Sequence, residues 1–81
     1  MTIQELEQLI ATYGTDIYSF CVYLTGNRAE TEELYQDTFL KALEMLDKIQ
    51  KEGNPKSYLL SVAIRIWKNR NRKINRRNSI A

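Results

Sequence analysis

The chain has no histidine and a single cysteine, Cys21, among its 81 residues. Protein zinc sites are built from histidine, cysteine and carboxylate ligands, so almost no ligands for one are available. One cysteine cannot form an internal disulfide, and we expect Cys21 to be a buried, inert side chain in a protein of the reducing cytoplasm. We therefore predict neither a metal nor another cofactor.

Long apolar runs are missing as well. No stretch approaches the roughly 20 apolar residues of a membrane-spanning helix, and the first ten residues, MTIQELEQLI, are amphipathic and acidic, unlike a signal peptide. The length allows one domain at most, which leaves little room for a large pocket on a scaffold. We expect no membrane contact through a spanning segment, and a function other than catalysis.

Acidic residues are absent from the last third of the chain. Residues 56–81 carry eight cations and no acid, whereas residues 1–55 carry four cations and all ten acids. The net charge of +2 therefore combines a front part of about −6 with a tail of about +8. The tail suits a polyanion, because each neutralised phosphate releases a counterion. The front part suits a cationic protein surface.

Strand signals are nearly absent, and the apolar pattern predicts three helices. The first has a capping-box spacing of Thr2 and Glu5 at its start and an apolar stripe at steps of three or four. Gly14 lies inside it and costs about 1 kcal/mol relative to alanine, so we expect a kink or a short break there. The stripe consists of Ile3, Leu6, Ile10, Tyr13, Ile17, Phe20 and Leu24.

The remaining two helices are separated by one clear loop, residues 50–55. Asn27 is the predicted N-cap of the second helix. Asn54 and Pro55 are the predicted N-cap and first residue of the third, which runs to about Lys73 or beyond. The fold class is therefore all-α, a three-helix bundle with a long basic C-terminal helix. The predicted seam of the second helix is Tyr35, Phe39, Ala42, Leu46 and Ile49.

Aromatic and acidic side chains offer further candidates. Tyr58 and Trp67 flank the apolar half of the third helix, where an aromatic ring either stacks on a base or packs in the core. The two interpretations are balanced for Tyr58, and the core is favoured for Trp67. Glu33 and Asp37 are four residues apart and share a helix face. That face suits an arginine-rich partner, or it serves solubility and the helix dipole.

Two runs of residues carry a more specific pattern. The first is Leu-Thr-Gly-Asn at residues 24–27, followed by EELYQDTFLKA at residues 32–42. The second is NPKSYLLSVA at residues 54–63, with Lys-Asn at 68–69 and Arg-Arg at 76–77 further on. From about residue 6 to 77, the chain resembles conserved region 2 of bacterial sigma-70 family factors, above all those of the extracytoplasmic-function (ECF) group.

The resemblance implies a division of labour between helices. The second helix corresponds to the segment that docks on a coiled coil of the RNA polymerase beta-prime subunit, through Glu33, Gln36 and Asp37. Residues 47–56 correspond to the loop that captures a flipped base of the non-template strand when the promoter minus-ten element is melted. An anti-sigma factor is a further partner that the family allows. The implied DNA contacts are Lys56, Tyr58, Arg65, Lys68, Asn69, Arg72, Arg76 and Arg77.

Departures from the family pattern leave other functions open. Tyr58 replaces the usual tryptophan, Arg65 stands where asparagine is frequent, and Thr31 replaces alanine. We expect residues 1–81 to form a single region 2 domain, without the helix-turn-helix domain of region 4. The alternatives are a small module that binds single-stranded nucleic acid without polymerase, and a protein-interaction domain whose basic tail meets an acidic partner or an anionic membrane.

Overall fold

Three α-helices form the molecule. A computed structural model describes residues 1–49 and 53–80, and the side chains as far as residue 71. The helices are Ile3–Thr25 (α1), Arg28–Glu44 (α2) and Pro55–Ile80 (α3), and a short 3-10 turn, Leu46–Lys48, follows α2. Each helix packs against the other two, which confirms the predicted all-α three-helix bundle.

The helix ends are set by local hydrogen bonds. The hydroxyl of Thr2 accepts from the backbone N–H of Glu5, whose carboxylate in turn accepts from the backbone N–H of Thr2, which is the predicted capping box. Gly26 ends α1 with φ of 65°, and its N–H donates to the carbonyl of Val22. Asn27 then caps α2 through its side-chain oxygen, which lies 3.1 Å from the Glu30 nitrogen.

α1 is continuous through Gly14, so of the predicted kink or short break the break does not occur. The glycine is buried, and a Cβ built there would lie 3.0 Å from the hydroxyl oxygen of Tyr35 on α2. The residue therefore permits a close approach of the Tyr35 side chain to α1. The edge-on contacts of the Tyr35 ring with Tyr18 and Phe39 hold it at this crossing.

α2 is shorter than the pattern suggests. The helix ends at Glu44, and the chain changes direction through the 3-10 turn, which brings Ile49 into the core with only 2% of its surface exposed. The amino group of Met1 donates to the carbonyls of Leu46 and Ile49, at 3.1 and 3.2 Å. These contacts come from a distant part of the chain, so helical periodicity alone does not reveal them.

The core lies slightly to one side of the predicted stripes. Ile3 is 57% exposed and Tyr13 is exposed at the edge of the bundle, whereas Thr31 and Thr38 are fully buried on α2. The buried threonine hydroxyls hydrogen-bond to backbone carbonyls one turn earlier, which satisfies them. The prediction that Cys21 is buried is confirmed. The apolar core consists of Leu6, Leu9, Ile17, Cys21, Leu34, Ala42, Ile49, Leu59 and Ala63.

Candidate nucleic-acid interface and acidic face

The acidic face of α2, comprising Glu33, Gln36 and Asp37, is partly occupied by a cation from the same chain. One guanidinium nitrogen of Arg70, on α3, lies 3.3 Å from Oε1 of Glu33 and also binds Oδ2 of Asp37. Gln36 is exposed beside this contact. The face is therefore joined to the basic helix, and the two predicted surfaces are not separate.

A groove of about 380 Å³ runs between the end of α2 and the first half of α3. Three of the predicted DNA contacts, Tyr58, Arg65 and Asn69, line it, and Lys41 adds a cation from α2. Met45, Ser61, Val62 and Ile66 complete the wall. We call this the α2–α3 groove. Its combination of an aromatic ring, apolar carbons, cations and an amide suits an unpaired base with its phosphates.

A second cavity lies where the chain returns from the 3-10 turn to α3. It measures about 220 Å³ and is lined by Lys48, Ile49, Gly53, Asn54, Pro55 and Tyr58. Tyr58 therefore borders both this cavity and the α2–α3 groove. The predicted base-capturing loop, residues 47–56, lies here, although residues 50–52 are outside the described part of the chain.

Lys56 contacts two side chains of α1 at the surface of the bundle. Its ammonium lies 3.0 Å from a carboxylate oxygen of Asp16 and 5.1 Å from the ring centre of Tyr13, both on α1. The contact joins the first turn of α3 to the middle of α1. A nucleic-acid phosphate has to compete with Asp16 for this cation.

The structure describes the positions of some of the other predicted DNA contacts, but not of all. Lys68 and Asn69 are exposed on α3, as a DNA contact requires. Trp67 is half-buried and packs against the core, and Tyr58 does the same at the rim of the groove. The side chains of Arg72, Arg76 and Arg77 lie outside the described residues.

Two contacts between helices escape sequence reasoning. Arg70 lies within the basic run, but nothing in the neighbouring sequence marks it as the partner of Glu33 and Asp37, which lie more than 30 positions earlier in the chain. Asp16 is likewise 40 residues from Lys56. Lys41, which faces the groove from α2, follows the predicted docking segment and is not among the predicted DNA contacts. A pairing of acids and bases across helices becomes visible only once the helix crossing is known.

Shifted pKa values and metal ligands give little evidence about the function of this surface. Burial raises the pKa of the Cys21 thiol, and burial followed by the charge of Cys21 raises the pKa of Tyr35; both groups lie away from the groove. Within the residues that the structure describes, no cluster of carboxylate and cysteine side chains could hold a metal. A search of the same residues finds no helix suited to crossing a membrane.

Comparison with known proteins identifies the class of this domain. The family model for sigma-70 region 2 matches residues 9–77, so the chain belongs to the sigma-70 region 2 family. The protein named ECF RNA polymerase sigma factor SigX, from Bacillus subtilis (strain 168), is 28% identical to it over 60 residues. That alignment covers 74% of this chain but only 31% of the relative. No solved structure matches the chain.

The resemblance predicted from the sequence is thereby confirmed. The family match covers both runs of residues on which it was based, and the group that the relative's name gives is the predicted extracytoplasmic-function group. The family is one of transcription initiation factors and not of enzymes.

Proposed function

We propose that this chain is a transcription initiation domain that docks on RNA polymerase and holds the melted minus-ten element of a promoter. The observation that carries the proposal is the α2–α3 groove, where Tyr58, Arg65 and Asn69 lie together beside the acidic face of a sigma-70 region 2 domain. Residues 1–81 form a single unit in this proposal. The polymerase surface is a cationic coiled coil of the beta-prime subunit.

The DNA ligand in this proposal is the unpaired non-template strand. Melting needs no hydrolysis, because a protein that holds unpaired bases better than paired ones shifts the equilibrium toward the open form. Unstacking a base costs a few kcal/mol. Stacking on Tyr58 and contacts of Asn69 with a base edge offset that cost, while Arg65 and Lys68 bind phosphates.

Two binding measurements test the proposal. Labelled chain is titrated with core RNA polymerase, and labelled single-stranded and duplex minus-ten oligonucleotides are titrated with the chain. We expect polymerase binding, a preference for the single strand, and an affinity for DNA that falls steeply with salt. Binding of single strands without polymerase binding would favour the module that acts alone. Absence of both would contradict the proposal.

Paired variants separate the two surfaces. Replacing Arg65, Lys68 and Asn69 by alanine should weaken oligonucleotide binding at least ten-fold and leave polymerase binding in place, since each phosphate contact contributes independently. Gln36→Lys adds a cation to the acidic face without touching the Arg70 contact, and should weaken polymerase binding alone. If Gln36→Lys weakens both equally, the assignment of the two surfaces is wrong.

A further inference from the structure

The contact of Arg70 with the acidic face has a consequence for both proposed partners. Arg70 is the one described cation of α3 that pairs with carboxylates of α2, and it spans Glu33 and Asp37 with a single guanidinium. A cationic surface of polymerase would bind the same two carboxylates, and a DNA phosphate would bind the same guanidinium. The contact therefore makes the carboxylates less available to polymerase and the guanidinium less available to DNA.

We propose that the Arg70 contact is an internal latch that couples the two binding events. This inference rests on the proposed function. A cationic partner that takes over Glu33 and Asp37 releases the guanidinium, which then binds a phosphate of the melted strand. Because coupling between sites is reciprocal, a phosphate that takes Arg70 also frees the acidic face for the partner.

The exposure of the three side chains suits an ion pair that another ion can displace, and not a permanent contact. Exposed fractions are 66% for Glu33, 39% for Asp37 and 29% for Arg70. Ion pairs at such partly hydrated positions contribute little net free energy, so another ion can replace one member at small cost. The contact is nevertheless geometrically specific, because one guanidinium bridges carboxylates one helical turn apart on the same face.

The neighbouring charges support exchange with an outside partner. Lys68 and Asn69, which precede Arg70, are exposed and have no described carboxylate against them. Lys56 pairs with Asp16 of α1 at the first turn of α3, and does not compete for the acidic face. Arg70 is thus the described link between the acidic face and α3, the helix that carries the predicted DNA contacts.

The first test needs no polymerase. Asp37→Asn keeps the shape of the side chain and removes its charge, which leaves Arg70 paired with Glu33 alone. The weaker hold on Arg70 should raise the affinity for a single-stranded oligonucleotide about two- to five-fold, the range of a weak ion pair. In an Arg70→Gln background the same change should have no such effect. An equal rise in both backgrounds would mean that only net charge matters, and no rise at all would also overturn the latch.

The second test uses core polymerase. Arg70→Gln should raise the affinity for polymerase about two- to five-fold when no DNA is present, because the carboxylates are no longer occupied. Arg28→Gln removes the same charge from an exposed position at the start of α2 and serves as the matched control. A gain shared by both variants, or a loss in Arg70→Gln, contradicts the latch.

The two tests distinguish the latch from the proposed function. If no variant binds polymerase but Asp37→Asn acts only when Arg70 is present, the proposed function fails, while the control of Arg70 by the acidic face stands for nucleic acid alone. If wild-type chain binds polymerase and DNA while the two changes act independently, the latch fails and the proposed function stands. Thermal unfolding of each variant confirms that the bundle is intact.

Discussion

Lys56 and Asp16 join the start of α3 to the middle of α1, with Nζ and Oδ2 3.0 Å apart and a sequence separation of 40. The Lys56 side chain is 35% exposed and that of Asp16 is 61% exposed. A pair that reaches solvent in this way contributes only about 0–1 kcal/mol to stability. In the proposed function its larger consequence is that Asp16 competes with a DNA phosphate for Lys56.

Asp16→Asn should therefore raise the affinity for a single-stranded oligonucleotide about two-fold at low salt, with little effect on stability. Fluorescence anisotropy at two salt concentrations measures the change, and the gain should shrink as salt screens it. Glu7→Gln removes the same charge from an exposed position on α1. A gain of equal size in Glu7→Gln would show that Lys56 plays no part.

Gly14→Ala should stabilise the bundle only when Tyr35 loses its hydroxyl. Alanine favours a helix interior over glycine by about 1 kcal/mol. In the wild-type chain the new Cβ meets the Tyr35 hydroxyl oxygen at 3.0 Å, which offsets that gain. Urea unfolding of the two single variants and of Gly14→Ala/Tyr35→Phe should show a coupling of about 1 kcal/mol. Additive effects would mean that the Tyr35 ring moves aside freely.

The sequence predicts those parts of the fold that depend on nearby residues. Thr2, Asn27 and Asn54 act on backbone groups within three residues, so capping and the number of helices can be read directly. The end of α2 cannot be read from the local sequence, because the turn after Glu44 depends on Met1 and on burial of Ile49.

The candidate site likewise has one part that the sequence predicts and another that depends on how the helices pack. Tyr58, Arg65 and Asn69, three of the residues that line the α2–α3 groove, follow from the family resemblance. The engagement of Lys56 by Asp16, and of Asp37 by Arg70, depends on how the helices cross. An exposed cation and a paired cation look alike in a sequence.

Stability should decline in mildly alkaline solution. Burial raises the pKa of the Cys21 thiol above its ordinary value of 9.0, so the unfolded chain loses this proton first as the pH rises. The contribution of this thiol to the free energy of unfolding should be constant below about pH 8 and fall above pH 9. Tyr35, whose pKa is also raised by burial, adds to the decline beyond pH 10.

Urea unfolding between pH 7 and 10 measures this dependence. Cys21→Ala removes the thiol and should flatten the decline near pH 9, although the lost sulfur lowers stability at every pH. The buried thiol should also react slowly with a disulfide reagent at pH 8, because the thiolate is the reactive form. A thiol that reacts as fast as a free one would contradict its burial.

Tyr58 should contribute to DNA binding through its ring and not through its hydroxyl. The ring borders both the α2–α3 groove and the cavity beside the loop, and the hydroxyl lies 3.7 Å from the sulfur of Met45, a weak acceptor. Tyr58→Phe should bind a single-stranded minus-ten oligonucleotide as the wild type does. Tyr58→Leu keeps apolar volume in the half-buried position but loses the stacking face, worth about 1–3 kcal/mol per base.

The expected loss in Tyr58→Leu is five-fold or more, measured by anisotropy, with a melting temperature within a few degrees of the wild type. Tyr23→Leu is the matched control, since Tyr23 is 83% exposed on α1 and outside the groove. Wild-type affinity in Tyr58→Leu would mean that bases do not stack on this ring, and Trp67 would then be the aromatic side chain to test. Equal losses in both variants would point to a general effect of removing tyrosine and not to a site at the groove.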